Sequence, residues 1–212
     1  MFGIIEIIVL IIVLIFSIIF HEVAHGMAAY ALGDSTAKEH GRLSLNPIRH
    51  IDFFGSILLP GTLILINVIS GINGFVIGWA KPVPINPLNF RDRKWGNAKV
   101  SIAGPAANIL LALIFGLALR FFILGIGNLP EQVAMVFVYI VQINLTLAIF
   151  NLIPIPPLDG SHILFALFPR ISNEIKISLM RYGMFILLAV IFFAGDYISY
   201  ASSFLFRLIT GV

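Results

Sequence analysis

The chain has 212 residues, 59% of them hydrophobic and 11% charged, with a mean hydropathy of +1.04. That balance excludes a soluble domain built on a water-driven core and indicates a polytopic membrane protein, one embedded domain over 1–212. Thirteen basic against ten acidic residues give a formal charge of +3, too small and too scattered for nucleic-acid binding, and the lack of cysteine excludes disulfides and thiolate-held metals without identifying the compartment.

The first element is an apolar helix over about 4–32, ending at Gly33-Asp34. It has no basic leader and no small-residue cleavage site, so it reads as a retained helix and not as a signal peptide. Within residues 4–20 only Glu6 and Ser17 are polar, and Phe20-His21-Glu22-Val23-Ala24-His25-Gly26 follows directly. Positions four apart share one helix face, so His21 and His25 can hold one metal ion, with Glu22 beside them to take a proton from water. The bland alternative is a helix-end pair of histidines facing interfacial water. Ionisable groups inside an apolar span are costly without a task, which favours the metal. A third ligand must then come from elsewhere.

Residues 34–52 carry most of the early charge, and 42–47 alternates before Asn46-Pro47, reading as a short strand or hairpin arm. His40 and His50 lie in this stretch as alternative ligands. Residues 53–78 are apolar but interrupted at Pro60-Gly61 and by later glycines, so they form a poor continuous span. Gly78-Trp79-Ala80-Lys81-Pro82-Val83-Pro84-Ile85-Asn86-Pro87 has three prolines at spacings that exclude a helix and reads as an extended segment of the sheet-edge type. A basic run follows at Arg91, Arg93, Lys94 and Lys99.

A second span covers about 100–122 and opens on Ala103-Gly104-Pro105-Ala106-Ala107-Asn108, where small residues permit close approach. Asn108 is an amide at membrane depth that either pairs helices or faces a substrate. A third span, about 132–153, carries Gln142, Asn144 and Asn151 and ends in Asn151-Leu152-Ile153-Pro154-Ile155-Pro156-Pro157-Leu158-Asp159-Gly160. Three prolines in four positions unwind the helix end. Asp159 there is either a capping residue or the missing metal ligand, with His162 close enough to compete. A short amphipathic helix to Phe168 and a last apolar region, about 177–208 with a break at Gly195-Asp196, complete the chain.

Taken together, HEVAHG at 21–26, AGPAAN at 103–108 and NLIPIPPLDG at 151–160 resemble the motifs of the site-2 protease family, intramembrane zinc metalloproteases. GRLSLNPIRHID and GWAKPVPINP resemble connecting segments of its short members, with Phe53-Phe54 a departure in a loop, and the likeness covers roughly residues 15–165. It implies one zinc ion per chain held by His21, His25 and Asp159, Glu22 as catalytic base, and Asn108 as a catalytic group on the substrate backbone or oxyanion. The expected fold is all-α and polytopic, with four to six transmembrane helices, a re-entrant segment and short β-hairpin elements between the first two core helices. The core spans about 4–165, with a C-terminal helical region over 166–212. Expected partners are transmembrane protein or peptide substrates and the lipid bilayer, in a prokaryotic cell membrane, with no nucleic acid.

For the ends of the first and third spans to meet at one zinc, both must run the same way across the bilayer. Residues 53–78 are therefore expected to re-enter, turning near Pro60-Gly61. The basic residues then share the cytoplasmic side and the N-terminus lies outside. An ion-coupled transporter using Asp159, or a non-catalytic scaffold, are the competing classes; neither requires Glu22.

Overall fold

The structure is a computed structural model that describes residues 4–70, 81–127 and 129–212. Its helices are α1 (Ile4–Ala31), α2 (Thr36–Glu39), α3 (Leu59–Ser70), α4 (Gly96–Phe121), α5 (Glu131–Asn151), α6 (Asp159–Leu167) and α7 (Asn173–Thr210). Four of them, α1, α4 with its continuation to Gly125, α5 and α7, are long and apolar enough to cross a membrane. The protein is a multi-pass membrane protein. α4 is its centre, packing against α1, α5, α6 and α7.

The distribution of residues is that of a protein dissolved in lipid. Large apolar side chains such as Ile8, Ile11, Phe16, Leu117 and Phe193 are exposed, whereas the interior holds small and polar ones: Ser17, Ala29, Asn108, Ala112, Asn144 and Ser202. Hydrocarbon solvates leucine as well as a protein core does, so helices associate through close packing and internal hydrogen bonds. Gly116 illustrates the first device, since a Cβ there would lie 2.5 Å from Ile209 on α7. Gln142 and Thr146 illustrate the second, each bonding Ser202 Oγ at 3.0 Å.

The structure corrects several expectations. No strand occurs among the described residues, so the β-hairpin elements are absent there. The physical reason is that side chains, not a neighbouring strand, take up the backbone groups. His50 Nε2 donates to Ser44 O, and the Asn46 side chain caps Ile48 N. Arg42, buried, donates to the carbonyls of Lys81 and Pro82 at 2.6 and 3.2 Å. Pro60 does not sit at a reverse turn. A π-helical stretch, Phe53–Leu58, leads directly into α3, so Pro60 lies inside a continuous helical run. Residues 71–80, which include the rest of the expected re-entrant segment, lie outside the described residues. At the other end, Gly195-Asp196 does not interrupt α7, which is one helix of 38 residues.

The segments beyond the C-terminal end of α1 are tied back to it. Asp34, with no exposed surface, accepts from Thr36 N and Oγ1, Asn86 N and Asn89 Nδ2. Burial pushes its carboxyl up, but the donors outweigh that and hold it below the usual carboxylate range. Arg91 N donates to Leu32 O at 2.8 Å. Residues 81–91 therefore lie against the C-terminal end of α1, and α4 starts beside the point where α1 stops.

Candidate metal and active site

The site forms where three irregularities in apolar helices coincide. The first is the polar end of α1. His21 and His25 are both buried, with their rings edge to face and centroids 4.6 Å apart. The second is the small-residue opening of α4. A Cβ on Gly104 would lie 2.6 Å from His21 Nε2 and closer still to His25 Nε2, so only glycine lets α4 lie against both imidazoles. The third is the proline-broken end of α5. Bonds there skip from residue to residue (Ile155 N to Ile153 O, Leu158 N to Ile155 O) until α6 begins at Asp159. Gly160 allows this first turn of α6 to press on the carbonyls of Leu152 and Ile153.

Asp159 Oδ2 lies 3.1 Å from His21 Nε2 and 3.2 Å from His25 Nε2, and the two Nε2 atoms are 3.0 Å apart. Among the described residues, these three form the group of metal-ligating side chains close enough to share one ion. Their tautomers follow from their other partners. His25 Nδ1 lies 2.7 Å from Val100 O, a carbonyl that can only accept, so Nδ1 carries the proton and Nε2 its lone pair. His21 Nδ1 lies 2.6 Å from Asn108 Oδ1 and behaves likewise. Two lone pairs and a carboxylate oxygen thus converge, and Asp159 Oδ2 is buried with no hydrogen-bond donor. Three acceptors facing one another repel unless a cation lies between them. With zinc bonds of about 2.0–2.1 Å, a tetrahedron has edges of about 3.3 Å, close to the observed spacings. The residues fit zinc.

A cavity of about 410 Å³ opens on this cluster. Its walls are His21, Glu22 and His25 on α1, Val100 and Ser101 on α4, and Asp159 with His162 on α6, and the extended segment from Pro82 closes the remaining side. Glu22 Oε2 accepts a hydrogen bond from Val83 N at 2.8 Å, which fixes the carboxylate beside the cluster. His162 lines the cavity but lies outside the metal group. His50 is turned to Ser44 O, away from the cluster.

Asn108, expected on the substrate side of the site, is enclosed between the helices. It has no exposed surface, does not line the cavity, and reaches His21 from behind. Asn144 lies behind it in turn, bonded to Asn108 at 2.7 Å. In the sequence Asn144 stands out only as a polar residue in a span. Asn151, a cavity wall, stands out further, as the first residue of NLIPIPPLDG. The signal common to both is the cost of an amide at membrane depth.

The sequence profile of peptidase family M50 matches residues 123–191, which include Asp159. The chain is similar to the protein named "Putative zinc metalloprotease YwhC" of Bacillus subtilis, 39% identical over 182 residues, 83% of this chain and 77% of that one. It is also similar to a Mycolicibacterium smegmatis protein with the same form of name, Rip2, 32% identical over 151 residues, 71% of this chain and 52% of the other. No solved structure matches the chain.

Proposed function

The chain belongs to peptidase family M50, the site-2 protease family of membrane zinc metalloproteases, and from that premise we propose that it hydrolyses peptide bonds in or near transmembrane segments of other membrane proteins. The observation that carries this reading is the convergence of His21, His25 and the donorless Asp159 Oδ2 beside Glu22 on one cavity. In this reading these three residues are the metal ligands. Bound there, zinc supplies a Lewis acid and lowers the pKa of water.

The chain's own residues do the rest. Glu22, held by Val83 N–H, accepts the proton of the attacking water at its carboxylate and returns it to the departing amine. The Nδ1–H bonds to Val100 O and Asn108 Oδ1 fix the tautomer in which the neutral ring of each histidine carries its lone pair on Nε2, and they aim that lone pair into the cluster. Asn108 therefore serves the histidine and not the oxyanion. The substrate must enter extended, because a helical peptide hides its carbonyls in its own hydrogen bonds. The wall that Pro82, Val83, Ile85 and Pro87 form gives such a segment a surface to lie along.

The bacterial relatives favour a prokaryotic cell membrane. His25 meets Val100 at the start of α4, which favours the C-terminal end of α1 and the start of α4 lying on the same side of the bilayer.

The decisive experiment is Glu22→Gln. The variant should retain one zinc per chain and lose cleavage of a membrane-embedded test substrate, because an amide cannot accept the proton. Cleavage at the wild-type rate with full zinc occupancy would remove Glu22 from the mechanism.

A further inference from the structure

A chain of buried amides runs behind the metal cluster, and its direction is fixed from one end. Asn144 on α5 has no exposed surface, and its Nδ2 donates to Ile140 O and to Ser17 Oγ, both at 2.8 Å. Ile140 O is a main-chain carbonyl and can only accept, so the amino group of Asn144 must face it. Asn144 Oδ1 is thereby presented to Asn108, whose Nδ2 donates to it at 2.7 Å and to Ser17 O at 3.3 Å. With its amino group so committed, Asn108 turns Oδ1 to His21, 2.6 Å from Nδ1. An acceptor there requires Nδ1–H, which leaves the Nε2 lone pair for Asp159 and the metal.

From this chain we infer that Asn144 is a positioning residue for the metal centre: through Asn108 it sets the tautomer and ring orientation of His21. The inference rests on the zinc reading above. The two histidines differ in how they are held. His25 takes its tautomer from one carbonyl, Val100 O, which cannot reverse. His21 takes it from an amide, which can flip end for end and offer a donor instead, and only Asn144 and the Ser17 carbonyl prevent that. Removing Asn144 also leaves one amide hydrogen of Asn108 without its better acceptor in a dry interior, where an unpaired polar group is expensive. The flipped amide then donates to Nδ1 of His21, which places the proton of the neutral ring on Nε2, the atom turned to Asp159.

The test is zinc affinity by chelator competition on the full chain in detergent, together with imidazole ¹⁵N shifts before metal is added. Asn144→Leu should weaken zinc binding by roughly 10–100-fold, the usual effect of losing a partner behind a metal-bound histidine. Its His21 should change from the Nδ1–H tautomer to a mixture while His25 stays Nδ1–H. Asn144→Asp keeps an acceptor towards Asn108 and should bind zinc more tightly than Asn144→Leu. Leu145→Ala, a neighbouring core truncation, controls for loss of packing and should leave the zinc affinity and both tautomers unchanged. If Asn144→Leu does not fold, Asn144→Ala takes its place in the same ranking. Zinc bound by Asn144→Leu as tightly as by wild type, or a loss matched by Leu145→Ala, overturns the inference. A wild-type chain that binds no zinc overturns the metalloprotease reading instead.

Discussion

The two halves of α1 are one continuous helix in two different solvents. Over residues 4–16 only Val13 is buried, and isoleucines project into lipid on nearly every side. Over residues 17–29 six residues are buried, and four of them (Ser17, His21, His25, Gly26) are polar or lack a side chain. In the first half any large apolar side chain satisfies the environment. In the second, each of these four has a named partner: Asn144 for Ser17, Asn108 for His21, Val100 for His25, and Leu43 and Val83 against Gly26. Helix formation is indifferent to this contrast; the chemistry depends on it.

The contrast can be pressed at its strong end first. Gly104→Ala places a methyl group where the two Nε2 atoms lie, and metal sites tolerate shifts of only about 0.2 Å. Stoichiometric zinc should be lost, as read by metal analysis of the purified variant. Retention of zinc would mean that α4 is not held against the histidines.

Next in size is Asp159→Ala, which removes one proposed ligand and should lower zinc affinity far more than His162→Ala, which changes only a cavity wall. The reverse ranking in a zinc titration would transfer the ligand role to His162. At the weak end, Ile8→Leu or Ile11→Leu swaps one lipid-exposed side chain for another. Each should alter stability by less than about 0.5 kcal/mol and leave zinc affinity unchanged. A shift in thermal midpoint as large as that of a buried substitution would break the comparison, showing that the first half of α1 has a protein partner in the membrane.

The metal site is legible in the sequence because its constraints are local. Histidines four apart on a helix face each other whatever the rest of the chain does, and three prolines in four positions end a helix anywhere. The competition between Asp159 and His162 is not decidable from local pattern, since both come after the unwound end; the orientation of the first turn of α6 separates them. Asn108 is visible as a costly amide, but its target is not. Its partners, His21, Ser17 and Asn144, are 87, 91 and 36 residues away in the chain. The strand readings failed for a related reason. Alternation at 42–47 and proline spacing at 81–87 do dictate extended backbone, but whether a strand or a side chain takes the hydrogen bonds is decided by packing. Here Arg42, Asp34 and Glu22 take them.

The three proposed ligands of one ion are made far apart in time. His21 and His25 enter the bilayer with α1, while Asp159 waits for α4 and α5 to be inserted. Until the ribosome has passed that point, the nascent chain carries two bare imidazoles and a glutamate with no third ligand to close the centre. In the proteolytic reading, chains abandoned before residue 159 are therefore inert, and activity arises only once the bundle has assembled around α4.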